Sequence, residues 1–141
     1  VVISIIGILA SLTLVSYSGA QKQTRDTQRR SDLAQYRNGL ENFAANNNGM
    51  YPSSAGSFRQ LNTDMCGTLR PNYISSCPAD PTGGSYVYRY ISNGTGAVGT
   101  ANASSYLLYG TLETGGYWEI CSDGRSGKVT AVPTDVSCDL P

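Results

Sequence analysis

Hydrophobic and polar positions alternate with a different rhythm in each part of this chain. Residues 1–15 are apolar, rich in β-branched side chains and free of charge. From Gln21 the run turns polar, and Leu33, Tyr36, Leu40, Phe43 and Ala44 recur at steps of three and four. That spacing draws one apolar stripe along a helix. Arg25, Asp26, Arg29, Arg30, Arg37 and Glu41 are expected on the opposite, solvated face, with Asp26 and Arg30 spaced to pair. Asn46-Asn47-Asn48-Gly49 supplies a stop, because Asn and Gly tolerate the left-handed cap, and Pro52 forbids continuation. One helix is therefore predicted from Val1 to about Asn47, roughly 70 Å long at 1.5 Å per residue. A domain of this size cannot cover such a helix, so its apolar half must project.

Residues 50–84 read as loop, with turn chemistry at Tyr51-Pro52, Arg70-Pro71-Asn72, Cys77-Pro78 and Asp80-Pro81-Thr82-Gly83-Gly84, and a single helical turn over 57–61. After Gly84 the period becomes two. Strands are predicted over 85–92, 105–113, 117–122 and 128–132, with tight turns at Gly115-Gly116 and Asp123-Gly124, an antiparallel meander. Residues 93–102, rich in Gly, Thr and Ala, read as an exposed, mobile loop. The fold class is α+β. The later half of the helix lays Leu33, Tyr36, Leu40 and Phe43 on a small antiparallel sheet. The division is an apolar helix half, 1–20, and a globular part, 21–141 (helix 21–47, loop 48–84, sheet and C-terminal loop 85–141).

Composition narrows the chemistry. The 141 residues carry a formal net charge of zero, which favours neither nucleic acid nor acidic substrates. There is no His, so the commonest general base and metal ligand is missing. Four cysteines, Cys66, Cys77, Cys121 and Cys138, with no CxxC and no His, point to disulfides and an oxidising compartment rather than zinc. Three pairings are possible; sequence proximity favours Cys66–Cys77 and Cys121–Cys138. Fifteen helical residues span only about 22 Å, short of the roughly 30 Å hydrocarbon core, so apolar residues are expected in front of Val1.

The stretch Val1-Val-Ile-Ser-Ile-Ile-Gly-Ile-Leu-Ala10 resembles the second half of the N-terminal helix of type IV pilins and pseudopilins. The segment from Arg25 to Leu33, followed by Asn48-Gly-Met-Tyr-Pro52, is similar to the helix and helix exit of many bacterial pilins, and Asp80-Pro-Thr-Gly-Gly-Ser-Tyr-Val-Tyr88 to the start of their sheet. In that family a peptidase trims a leader, the new N-terminal residue is methylated, and a nearby glutamate pairs with a neighbouring subunit. None of these features lies in this sequence. The resemblance implies a subunit that waits in the inner membrane, is lifted out by assembly machinery and packs with identical copies into a helical filament. The residues it assigns to the filament core are Val1, Val2, Ile3, Ile5, Ile6, Gly7, Ile8, Leu9, Leu12, Leu14 and Val15. Gly7, Gly19, Ser4, Ala10, Ser11 and Ser18 are small enough to let helices approach closely.

Other patterns carry less. Gly94-Thr-Gly-Ala-Val-Gly99 matches GxGxxG but leads toward a strand, where a dinucleotide site needs a helix. Gly124-Arg-Ser-Gly-Lys128 fails the phosphate-loop spacing, and Lys22 and Lys128 offer no recognisable Ser–Lys dyad. Asp80, Asp123, Asp135 and Asp139 could meet near the C-terminal loop, where some pseudopilins hold calcium, but they lack EF-hand spacing. Tyr86, Tyr88 and Tyr90 share a strand face and are expected to pack rather than bind ligand. Asn93 and Asn102 stand in N-glycosylation sequons, candidates for surface modification.

The reading is a structural protein, not an enzyme, with no cofactor and no metal: a type IV pilus-like subunit of a surface filament serving adhesion, motility or DNA uptake. The alternatives are a pseudopilin of a secretion or competence pseudopilus, and a minor pilin that binds DNA or surfaces through Arg59, Arg70, Arg89 and Arg125.

Overall fold

A computed structural model describes residues 1–138 and 140, without the side chains of Thr13, Leu14 and Val15. A single unbroken helix, α1 (Val2–Asn46, 45 residues), opens the chain. It stops where the Asn/Gly run begins. Asn48 and Gly49 take positive φ (56° and 77°), and the Gly49 amide donates to the Ala44 carbonyl at 2.8 Å. The left-handed residues thus satisfy a carbonyl the helix leaves open.

Two antiparallel sheets follow. Strand β1 (Tyr51–Pro52) pairs with β4 (Ala101–Ala103). The main sheet runs β2 (Arg59–Gln60), β3 (Arg89–Ser92), β5 (Tyr106–Thr111), β6 (Tyr117–Cys121) and β7 (Ser126–Val129) in that spatial order. A π-helical turn, Leu61–Met65, and a short helix α2 (Cys66–Leu69) lie between β2 and β3. The architecture is the α+β arrangement of a pilin, a long N-terminal helix packed on an antiparallel sheet.

The core sits between α1 and the sheet. Leu33, Tyr36, Leu40 and Phe43 descend from the helix onto Tyr88, Tyr90, Tyr106, Leu108 and Ile120. Leu61, Met65, Leu69 and Ile74 close one side. Gly110 lets the helix approach closely, since a Cβ there would stand 3.1 Å from the Tyr88 side chain and 3.2 Å from that of Leu33. The strand alternation sends Leu107 and Tyr109 to the opposite face, where they pack with Ile91 and Phe58. Cys66–Cys77 ties α2 to the chain leaving it, and Cys121–Cys138 ties the end of β6 to the C-terminal tail. Loops of this size stabilise by about 3 kcal/mol each on the chain-entropy account.

Several expectations change. The turn expected over 57–61 is displaced: Arg59 and Gln60 pair with Tyr90 and Arg89, and the helical turn begins only at Leu61, so strand pairing wins over a local turn before it. Residues 85–88 lie outside the strand, which starts at Arg89. The segment 93–102 is tied down rather than mobile. The Ser53 hydroxyl donates to the Gly96 carbonyl, the Gly99 amide to the Ser53 carbonyl, and the chain then enters β4. The glycines of its GxGxxG pattern answer crowding, since a Cβ at Gly94 would meet the Ser53 backbone at 3.0 Å.

Gly39 sits in α1 where a Cβ would run into the Ile74 side chain, whereas one at Gly67 in α2 meets nothing within 4 Å. Gly39→Ala should therefore destabilise, since overpacking of about 1–3 kcal/mol opposes a helix-propensity gain of about 1 kcal/mol. Gly67→Ala should be neutral or stabilising by up to about 1 kcal/mol. Urea unfolding of the two variants checks the contrast; equal midpoints would remove the packing argument.

Candidate functional site

The exposed half of α1 is the first candidate surface. Val2, Ile3, Ile5, Ile6, Ile8, Leu9 and Leu12 are each more than half exposed, and Val1 almost fully. These positions take up roughly three fifths of the helix circumference, and Ser4, Gly7 and Ser11 fill the remaining sector, so no small shift of the domain could hide the apolar surface. Gly7 and Gly19 have nothing within 4 Å of where a Cβ would be. The side chains of Leu14 and Val15, assigned to the same surface by the family resemblance, lie outside the described residues. By length and composition α1 can cross a membrane. Water does not solvate a free apolar cylinder without cost, so it calls for lipid or for other helices.

Immediately beyond this half, α1 meets the domain through charge. Arg29 is fully buried. Its guanidinium forks onto Asp80 (Nε–Oδ2 2.5 Å, Nη2–Oδ1 2.9 Å) and reaches Asp26 Oδ1 at 2.8 Å and Glu113 Oε1 at 2.9 Å. Nη2 also donates to Thr82 Oγ1 at 3.1 Å, and the guanidinium stacks over the Tyr86 ring at 4.6 Å. Asp26, also buried, accepts the amides of Glu113 and Thr114 and the Thr114 hydroxyl. Arg25 closes the ring with a bidentate pair to Glu113, both bonds 2.6 Å. One arginine thereby joins the helix, the loop before β3 and the β5–β6 turn.

The expected solvated face is corrected at these positions. Asp26 and Arg29 face inward, and the expected Asp26–Arg30 pair does not form. Asp26 pairs instead with Arg29, while Arg30 lies over the Trp118 ring at 4.3 Å. The signal was present in the spacing. The apolar stripe at Leu33, Tyr36, Leu40 and Phe43 extends backwards, in the same steps of three and four, to Arg29, Asp26 and Lys22. Charged residues on the buried line of a helix mark a polar network rather than the end of packing.

The network sets the ionisation of its members. Arg25 holds the Glu113 carboxyl down at about 2, and Arg29 adds to this. Burial pushes Asp26 and Asp80 upward, but hydrogen bonds win in both. For Asp26 these come from Thr114, the Glu113 and Thr114 amides and Arg29; for Asp80, from Arg29 and Thr82. Arg29 is raised, first by Asp80. Asp32, outside the network, goes the other way: burial raises it despite the Tyr88 hydroxyl donating to it at 2.7 Å.

The remaining candidates are dispersed. Asp80 serves Arg29, Asp123 pairs with Arg125, and Asp135 accepts the Ser137 amide, while Asp139 lies outside the described residues. The structure thus does not gather the described acids into the calcium arrangement. Glu119 lies near Cys121 and Cys138, but both sulfurs are spent in the disulfide and cannot ligate a metal. Tyr88 and Tyr90 are core residues, and Tyr86 packs on Arg29. Asn93 is exposed, with its side-chain amide donating to Ser104 and its oxygen accepting from the Ser104 and Ser105 amides; Asn102 packs beside Gly94 and Gly96.

Removing Arg29 leaves buried carboxylates without their cation, so Arg29→Met should cost about 3–5 kcal/mol. Asp26, Asp80 and Glu113 are depressed in the folded state. Their stabilisation is complete above the ordinary carboxyl range and is lost as pH falls through about 4 toward 2. Asp32 contributes with the opposite sign and offsets part of this. Thermal midpoints should fall steeply in that window for the native chain and flatten or reverse in Arg29→Met; parallel profiles would exclude the network as the source.

No curated protein and no solved structure matches this chain. A family model does, described as type II secretion system (T2SS), protein G, over residues 16–106, most of the chain. This moves the emphasis away from surface type IV pili and toward the pseudopilin alternative; adhesion and twitching motility gain no support. With its long helix packed on an antiparallel sheet, the chain belongs to the type II secretion system protein G family, structural and non-enzymatic pseudopilins among the type IV pilins and pseudopilins.

Proposed function

We propose that this chain is a structural subunit of a secretion pseudopilus, a periplasmic fibre, rather than of a surface filament. The observation that carries the reading is the apolar half of α1, exposed on all sides, in a chain of the protein G family. Residues 1–20 span the inner membrane in the unassembled subunit, and residues 21–141 form the domain on the oxidising side, where the disulfides persist. On assembly the same side chains, Val1 to Val15 as named above, leave lipid and pack against sister helices. Burial is favourable at about 25 cal/mol per Å² of apolar surface, so no covalent link is needed. The partners are identical copies and the secretion machinery. Nothing in this mechanism needs a cofactor.

Ile6→Asp and Leu9→Asp test it, each placing a charge at the centre of the apolar half. An aspartate there costs about 3 kcal/mol in a membrane helix, on the order of 100-fold in the equilibrium. Cells carrying either variant beside a complete secretion system should lose pseudopili and secretion while the domain stays folded by circular dichroism. Normal fibres in both variants would overturn the reading.

A further inference from the structure

The chain has only two lysines, Lys22 and Lys128, far apart in sequence. The fold brings both to the end of the domain that faces the apolar helix half. Lys22 lies on the α1 stripe one turn before Asp26, the residue that binds the β5–β6 turn through the Glu113 and Thr114 amides. Lys128 reaches that same turn from β7, its ammonium donating to the Thr114 carbonyl at 3.5 Å. Both lysines are exposed.

The acids nearby are all paired; Asp26, Asp80 and Glu113 exceed Arg25 and Arg29 by one negative charge, and exposed Arg30 beside them offsets it. Asp26 is buried against Arg29 and Thr114, and Glu113 is held by Arg25 and Arg29. The exposed residues around the lysines, Gln21, Gln23, Thr24 and Thr114, are uncharged. Among the described residues no ion pair involves Lys22 or Lys128. A chain of zero net charge thus shows a cationic underside.

The dimensions fit a bilayer surface. The segment read as membrane-spanning ends at Ala20, and at about 1.5 Å per residue Asp26, with the turn bound to it, lies about 9 Å beyond it. The polar layer outside the hydrocarbon is about 5–7 Å thick on each side. The underside therefore stands about 2–4 Å outside that layer, well within one Debye length of about 10 Å. Lysine stems can bend toward that layer, and an ammonium is a compact point charge suited to phosphate. Exposed Tyr17, about one turn before that boundary, is an amphipathic side chain of the kind that sits near the interface.

We propose that the unassembled subunit docks the underside of its domain on anionic lipid phosphates through Lys22 and Lys128. This rests on the membrane-spanning reading above. Docking holds the domain flat on the bilayer, and each lysine must leave its phosphate when the subunit is lifted into the fibre.

The full chain is placed in nanodiscs of phosphatidylcholine alone or of phosphatidylcholine mixed with phosphatidylglycerol. Co-elution with the disc reports the spanning reading; chain that fails to insert overturns both. On inserted chain, acetylation of Lys22 and Lys128 by an amine-reactive reagent is followed by mass spectrometry, and amide exchange of residues 112–116 alongside it. Acetylation should slow in the anionic discs by on the order of fivefold at each lysine and recover in high salt. Amide protection at 112–116 should disappear in Lys22→Gln/Lys128→Gln and persist in Lys22→Arg/Lys128→Arg. Equal rates in the two lipids, or protection that follows the number of chains per disc instead of the lipid, would overturn the proposal; the latter would assign the underside to a neighbouring copy.

Discussion

The buried guanidinium of Arg29 is the interaction on which the arrangement depends. A helix that runs from Val2 to Asn46 but is first buried at Asp26 is held over only part of its length, and the critical place is where contact begins. There the domain meets the stripe with charge as well as with the Tyr86 ring. It offers carboxylates from two separate loops, Asp80 and Glu113, and one from the helix itself, Asp26. An apolar side chain at this position would grip one neighbour. The planar cation grips three segments at once and fixes their angles, because its donors point in set directions. Such networks stabilise little compared with well-packed hydrophobes, but their geometry is specific.

Above that point the packing is conventional. Tyrosines do much of the filling, and each buried hydroxyl finds a partner: Tyr36 with the Pro78 carbonyl, Tyr88 with Asp32, Tyr90 with the Pro52 carbonyl, Tyr106 with Glu41. This core keeps the loops before β3 in place, and so keeps Asp80 beneath Arg29. The Cys66–Cys77 bond reinforces the same loop from the other side, closing a ring just before Pro78.

Legibility in the sequence followed the range of the interactions. The helix, its stop at Asn46 and its apolar stripe were readable because they rest on local spacing and on backbone preferences of Asn, Gly and Pro. The β5–β6 and β6–β7 hairpins were readable through Gly115-Gly116 and Asp123-Gly124. Strands β1, β2 and β4 were not. They are two or three residues long and carry no periodic pattern, and they exist only because distant segments supply the hydrogen bonds. The ion network was half visible. Arg29 and Asp26 stand on the extended stripe, but Asp80 and Glu113 give no sign of being its partners, since pairing across more than fifty residues is a property of the fold. The protein G assignment rests on residues 16–106 taken together rather than on any single motif.

The continuity of α1 bears on how the molecule carries load. A subunit moved out of a bilayer is gripped at one end and resisted at the other, and the helix is the only rod joining the two. With no break from Val2 to Asn46, tension runs along one hydrogen-bonded ladder into the domain and meets the Arg29 node before it meets the hydrophobic core. The bonds at that node span the helix, the loop before β3 and the β5–β6 turn, and so spread the tension over three segments. The domain is thus fastened through several of its segments at once at the point where traction first arrives.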